Sequence, residues 1–153
     1  GVAKDVNVAR ISIVGVPDKP GLAFKIFSKL AAKDINVDII LQSVGRDGTK
    51  DITFTVAQSN LKPALNMLND YMEVMGASEV LYDDKVGKVS IVGAGMETHA
   101  GVAAQMFEAL YEAQINIQMI ATSEIKVSVL IDEEDADKAV VAIHNKFFPS
   151  DNQ

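Results

Sequence analysis

The segment Ile11–Gly15 recurs almost unchanged as Val89–Gly93, and this internal repeat limits the possible folds more than any other feature of the sequence. In each copy a short polar loop, a glycine and an amphipathic stretch follow. Further positions match at a constant offset: Gly21 and Gly101, Ile35–Val37 and Ile115–Ile117, Ser43 and Ser123. The 153 residues therefore predict two copies of one small unit, each of about 75 residues.

The first copy has the pattern of a βαββαβ unit. Residues 8–14 alternate and are rich in Val and Ile, which predicts a strand, and apolar positions from Leu22 to Ala31 follow helical spacing. The remaining predictions are a strand over 36–42, a turn at 45–48, a strand over 51–56, a helix over 61–68 and a strand over 78–81. This order is typical of the α+β ferredoxin-like fold, an antiparallel sheet with helices on one face.

The second copy repeats the order but ends before a fourth strand. Its predicted elements are a strand over 87–93, a helix over 100–113, strands over 116–121 and 125–131 and a helix over 133–147. Residues 1–6 are the candidate for the missing strand; otherwise an edge stays open to another chain. We place the domains at 7–83 and 84–148, with 149–153 as a tail, and expect the sheets to pair across a dimer.

Composition excludes several partners and sites. The net charge is −7 and the pI about 4.7, whereas nucleic-acid binding depends on clustered Lys and Arg. Cysteine is absent, which excludes disulfides and thiolate metal sites. No apolar run reaches the roughly 20 residues of a spanning helix, and the N-terminus lacks the apolar segment of a secretion signal. We expect a cytoplasmic protein with no nucleic-acid or membrane partner.

Catalytic motifs are missing from the sequence. It contains no P-loop, GxSxG, HExxH or CxxC pattern, and Gly93-Ala94-Gly95 is not followed by a third glycine in register. The two histidines, His99 and His144, lie far apart, and we expect a structural or solvated role for His144. The sequence thus predicts no catalytic residue, metal ligand or cofactor site in this chain.

The loop before the first predicted helix is a candidate binding site. The helix begins just after Pro20, and free backbone N–H groups at a helix start can receive a carboxylate. Gly21 would let a ligand approach closely, and Asp18 could accept an ammonium group. A free amino acid supplies both groups. Alternatively, Asp18 caps the helix, Lys19 is solvated and Gly21 only relieves crowding.

The second copy offers the equivalent loop over 95–101. It keeps the glycine as Gly101 and presents Thr98 or His99 as its polar group, although His99 could cap its helix instead. Polar residues at the strand ends, Gln42-Ser43 and Thr122–Glu124, could fix the side chain of a ligand. Turn and register roles explain these residues equally well.

Several segments together resemble the C-terminal regulatory region of bacterial aspartokinases, which consists of two ACT domains. The resemblance covers nearly the whole chain and is carried by VPDKPG at 16–21, ILQ at 40–42, DITFT at 51–55, VGKVSIVGAGM at 86–96 and ATSE at 121–124. The combination of VGKVSIVGAGM with TSEI is far more specific than either repeat element alone. The kinase motif of the Lys-Phe-Gly-Gly type is missing, so we expect Gly1 to begin an excised domain or a processed subunit.

The resemblance implies a regulatory function. The family phosphorylates the side-chain carboxylate of aspartate with ATP, and its ACT region binds threonine, lysine or both to inhibit that reaction. ATP and Mg²⁺ would bind only to the kinase domain, and the implied partners are a free amino acid, a second copy of the chain and the aspartokinase catalytic domain or subunit. The effector-site residues implied are Asp18, Lys19, Pro20, Gly21, Gln42, Ser43, Met96, Thr98, His99, Ala100, Gly101, Ile120, Ser123 and Glu124.

Other functions fit the same fold. An ACT pair could serve another enzyme or regulator of amino-acid metabolism, and the sequence upstream of Gly1 would distinguish that case. A small enzyme of the acylphosphatase type needs a phosphate-binding loop with an arginine, and neither Arg10 nor Arg46 lies in such a loop. An RNA-binding sheet needs exposed aromatic residues on central strands and a basic face, and both are missing.

Overall fold

Strands β1 (Val2–Pro17) and β4 (Glu79–Val92) are longer than the sequence predicts. The computed structural model describes residues 1–93 and 99–149, and the chain forms two compact units, Asn7–Asp84 and Gly1–Val6 with Lys85–Gln153. Both strands contribute to both units. The predictions stopped short because residues 3–7 are exposed and include the polar Lys4, Asp5 and Asn7, and because Asp83–Lys85 interrupts the apolar alternation that marks a strand.

The unit Asn7–Asp84 has the predicted βαββαβ order. After β1 come α1 (Leu22–Ala32), β2 (Val37–Gln42), β3 (Thr49–Ala57), α2 (Gln58–Asp70), the short α3 (Met72–Met75) and the first part of β4. The strands lie in the order β2-β3-β1-β4, and β3 is antiparallel to both β1 and β2. The α+β ferredoxin-like prediction is therefore confirmed, while the second helix proves longer than 61–68 and is followed by an extra turn.

Alternating residues of the strands form the core of this unit together with the helices. Ile11 and Ile13 of β1 and Ile52 and Phe54 of β3 are fully buried, whereas Ser12 and Thr53 between them point to the other face and share a 3.0 Å hydroxyl hydrogen bond. Phe27 of α1 meets Phe54 edge-on at 5.4 Å between ring centroids. Burial of this alternating set fixes the strand register, because a shift of one residue would expose all of it.

The second unit repeats this arrangement with strand order β1-β4-β6-β5. Its remaining elements are α4 (His99–Glu112), β5 (Met119–Thr122), β6 (Lys126–Asp132), a 3₁₀ turn (Glu133–Asp135) and α5 (Ala136–Phe147). The predicted helix over 133–147 is thus split into a 3₁₀ turn and a helix. Beside β4, the Val92 N–H donates to the Gly1 carbonyl at 2.9 Å, and the Gly1 amino group donates to the Val92 carbonyl.

Charged side chains attach elements of the second unit to one another. Lys146 of α5 pairs with Glu108 and Glu112 of α4, and Lys4 of β1 pairs with Asp137 of α5. Hydrogen bonds to Glu108 and Glu112 raise the pKa of Lys146 above its ordinary value. The paired ammonium ties the two helices together on their exposed side.

The helices α1 and α4 end in the same way, which explains the repeated Ile-Asn-aliphatic triplet. Asp34 and Gln114 adopt left-handed backbones with φ of 57° and 62°. In each copy the following isoleucine donates its N–H back into the last helical turn, Ile35 to Leu30 at 3.0 Å and Ile115 to Leu110 at 2.9 Å. These are Schellman ends, in which an apolar residue after the helix also packs against the last turn.

The Gln114→Gly substitution should stabilise the chain by about 0.5–1 kcal/mol, because glycine adopts a left-handed backbone without the strain of a side chain. The matched change Gln105→Gly, at an exposed position within α4, should cost about 1 kcal/mol. Urea unfolding followed by circular dichroism measures both. If both variants lost the same free energy of unfolding, the left-handed backbone at position 114 would not strain the glutamine side chain.

Candidate functional site

The loop between β1 and α1 turns tightly into the helix. The Lys19 N–H donates to the Pro17 carbonyl at 2.9 Å, and Gly21 then serves as the N-cap with a φ of 85°. The first helical hydrogen bond runs from the Lys25 N–H to the Gly21 carbonyl at 3.1 Å, and among the described residues no side chain caps the start of α1. The backbone N–H groups of this first turn therefore remain open to a ligand.

A long hairpin loop between β2 and β3 lies beside that turn. Its tip is a two-residue turn with Asp47 and Gly48 at φ of 55° and 77°, closed by hydrogen bonds between Arg46 and Thr49. The Gly48 carbonyl accepts the N–H of Asp18 at 2.9 Å. This bond joins the β1–α1 loop to the hairpin.

The carboxylate of Asp18 strengthens the same connection. Its Oδ1 lies 3.2 Å from Nζ of Lys50, with 46% of the Asp18 side chain and 16% of the Lys50 side chain exposed. Its other oxygen faces Gly45, where an added Cβ would collide with Oδ2 and lie 2.9 Å from Cγ. Glycine at 45 therefore leaves room for the Asp18 carboxylate beside the hairpin.

Ser43 and Asp51 close the base of the hairpin loop. The Ser43 N–H donates to the Asp51 carbonyl at 3.0 Å, and the Asp51 N–H donates to Oγ of Ser43 at 2.9 Å. The Asp51 carboxylate accepts the N–H of Gly15 at 3.0 Å, at the bulge that β1 makes between Ile13 and Val16. The bulge redirects β1 and so helps to aim the following loop.

These contacts place the predicted residues of the first repeat. Asp18, Lys19, Pro20 and Gly21 form one exposed turn beside the hairpin, and Ser43 lies at the base of that hairpin. Gln42 is the exposed last residue of β2. The structure therefore connects Asp18 to the hairpin loop that Ser43 closes.

The second repeat has a shorter hairpin. The Ser123 N–H donates to the Lys126 carbonyl at 2.9 Å, and Glu124 lies exposed in the turn that this bond closes. Ile120 is an exposed residue of β5, and Ala100 and Gly101 lie in the first turn of α4. Met96 and Thr98 lie outside the described residues, and His99 is described only as the first residue of α4.

Two of the alternatives considered for the first loop are wrong. Asp18 does not cap α1, because Gly21 occupies the N-cap position and Asp18 pairs with Lys50 instead. Gly21 does not relieve crowding either, since an added Cβ there would meet nothing within 4 Å. Its left-handed backbone is what favours glycine.

Sequence reasoning missed Lys50, Gly45 and Asp51 as parts of this site. The only available signal was the Gly45–Gly48 tract, which predicted a turn but not which loop the turn would contact. Within residues 1–93 and 99–149, no group of three acidic or histidine residues could hold a metal ion. Over the same residues, no helix has the length and apolar character needed to cross a membrane.

Comparison with known proteins gives one consistent answer. Models of the ACT domain match residues 5–71 and 89–147, one in each repeat. The aspartokinase of Corynebacterium efficiens is 49% identical over 149 residues, and that of Pseudomonas aeruginosa 50% identical over 147. Both alignments take in 96% of this chain but only 35% and 36% of the relative's length.

Solved structures decide which part of those relatives this chain resembles. The regulatory subunit of aspartate kinase from Thermus thermophilus is 40% identical with a TM-score of 0.90, and the match covers 96% of this chain and 97% of that subunit. The chain belongs to the family of aspartokinase regulatory regions. A chain from a crystal structure of aspartokinase alpha and beta subunits matches equally well, with 49% identity, a TM-score of 0.90 and 97% of its length covered. The recognition of an aspartokinase regulatory region with two ACT domains is therefore confirmed.

The Gly21→Ala substitution should cost about 1 kcal/mol of stability, because alanine is strained at a φ of 85° even where its Cβ has room. Gly93→Ala is the matched control, since Gly93 also has open space around it but no positive φ. Urea unfolding of the two variants gives the comparison. If both lose the same free energy, backbone strain is not the reason for glycine at 21.

Proposed function

We propose that this ACT-domain regulatory region binds a free amino acid at the loops described above and thereby inhibits aspartate phosphorylation by its aspartokinase. The observation that carries the proposal is the pairing of two complementary groups in one loop. The uncapped first turn of α1 suits the ligand's carboxylate, and the Asp18 carboxylate beside it suits the ligand's ammonium. Membership of the aspartokinase regulatory family agrees with this chemistry.

The remaining predicted residues would contact the ligand's side chain or line the equivalent loop of the other repeat. In this proposal Lys19, Pro20 and Gly21 shape the first turn, while Gln42 and Ser43 approach the ligand's side chain. The second loop would use Met96, Thr98, His99, Ala100, Gly101, Ile120, Ser123 and Glu124. Threonine and lysine are the proposed effectors, acting singly or together.

The proposed inhibition works through a shift between two arrangements of the regulatory region. An effector changes such an equilibrium only by its difference in affinity for the two states. We propose that the chain acts as a cytoplasmic homodimer paired through its ACT sheets, in contact with the aspartokinase catalytic domain or subunit. ATP and Mg²⁺ would bind to the catalytic part and not to this chain.

The Asp18→Asn substitution should weaken amino-acid binding at least about tenfold, because it removes a charge-assisted hydrogen bond to the ligand's ammonium. Isothermal titration of the purified chain with threonine and with lysine, each alone and then together, measures the effect. Asp70→Asn is the control, since it removes the same charge from the exposed end of α2. An unchanged Kd in Asp18→Asn would remove Asp18 from the site.

The regulatory part of the proposal is tested on an aspartokinase that contains this chain. Its activity should fall when the effector identified by titration is added, and the Asp18→Asn variant should need a higher concentration for the same inhibition. Activity that ignores threonine and lysine in the complete enzyme would overturn the proposed function.

A further inference from the structure

The Asp18–Lys50 ion pair has a consequence for which amino acids the first-repeat loop can accept. Lys50 already neutralises the carboxylate that is offered to a ligand, at 3.2 Å, and its side chain is largely buried whereas that of Asp18 is nearly half exposed. A ligand can therefore contact the exposed Asp18 carboxylate. Any group of the ligand that binds there then lies close to the ammonium of Lys50. A carboxylate has room for more than one donor, so both ammonium groups can share it.

The two loops around Asp18 have no net charge when Lys50 is counted with them. Segments 18–21 and 43–51 hold three acidic and three basic side chains: Asp18, Asp47, Asp51, Lys19, Arg46 and Lys50. The Asp51 carboxylate is already engaged with the Gly15 N–H. Without the charge of Lys50, the two loops would carry a net negative charge beside the open helix start.

The second repeat provides an internal comparison. Ile13 pairs with Ile52 in the first repeat, and the matching Ile91 pairs with Val127 in the second. Lys50 lies two residues before Ile52, and Ile125 lies two residues before Val127. Ile125 is therefore the counterpart of Lys50. Ile125 is 61% exposed and carries no charge. The second repeat thus has no cation at the position equivalent to Lys50, where Lys126 follows one residue later, although both repeats share one fold.

We propose that Lys50 is a specificity-determining residue, which makes the first-repeat loop select an amino acid with an uncharged side chain over a cationic one. The inference rests on the proposed function, since it assumes that this loop binds an amino acid. A neutral side chain leaves the ligand a zwitterion without net charge, which a balanced site accepts. A cationic side chain adds a charge close to Lys50 that the loops do not compensate.

The Lys50→Met substitution keeps most of the length of the side chain and removes its charge. Threonine and lysine are titrated into the wild type and the variant, and the component of binding that Asp18→Asn weakens is assigned to the first-repeat loop. The wild type should bind threonine more tightly than lysine there. In Lys50→Met the ratio of the lysine Kd to the threonine Kd should fall about fivefold, as expected for a partly exposed charge pair.

Two controls separate charge selection from a general effect. Lys50→Arg keeps the charge and should keep the wild-type ratio. Lys62→Met removes the same charge from an exposed position on α2 and should also leave the ratio unchanged. Raising the salt concentration should reduce the selectivity of the wild type, because salt screens interactions between exposed charges.

The outcomes distinguish this inference from the function on which it rests. Two results would overturn the inference and leave the proposed function standing. One is threonine binding in Lys50→Met with an unchanged ratio of the lysine Kd to the threonine Kd. The other is a wild-type first-repeat loop that binds lysine more tightly than threonine. Loss of all binding in a folded Lys50→Met variant would also overturn it, since Lys50 would then hold the site in shape. Absence of any amino-acid binding in the wild type would overturn both.

Discussion

The antiparallel pairing of β1 with β3 is the interaction on which the first-repeat site depends. In this register Val16 lies opposite Lys50 and Pro17 opposite Thr49, so the end of one strand and the start of the other reach the same edge of the sheet. The buried alternation of Ile11, Ile13, Ile52 and Phe54 fixes the register as far as Ile13, and the bulge between Ile13 and Val16 then sets the pairing at the strand ends. The position of Asp18 beside the hairpin is therefore set by the core and the bulge together, although Asp18 itself is exposed.

Much of this fold can be read from the sequence because its signals are periodic and repeated. The alternation in Ile11–Gly15 and Val89–Gly93 identified the central strands, and Ile35 and Ile115 marked equivalent helix ends. The full length of β1 and β4 was not predictable. The first residues of β1 are exposed and include Lys4, Asp5 and Asn7, and Asp83–Lys85 interrupts the apolar alternation in the middle of β4. Side-chain periodicity therefore carries no signal of a strand at either place.

The candidate site was only partly predictable for a different reason. Its β1–α1 loop was recognisable from Pro20, Gly21 and the helix that follows, because these are local features. Contacts such as Asp18 with Lys50, or Gly15 with Asp51, join residues far apart in the chain. They also depend on a bulge after Ile13 that contains Gly15, whereas the sequence prediction ended the strand at residue 14.

The two hairpins differ in length while the strands beside them keep the same pairing. Segment 44–50 separates Ser43 from Asp51, whereas only Glu124 and Ile125 separate Ser123 from Lys126. The length of this loop can thus differ while the strand pairing beside it stays the same. Under the proposed function, such a loop would let one copy acquire a new ligand preference after a duplication while the other keeps the old one, so that a single ancestral sensor could diverge into two that respond to different metabolic signals.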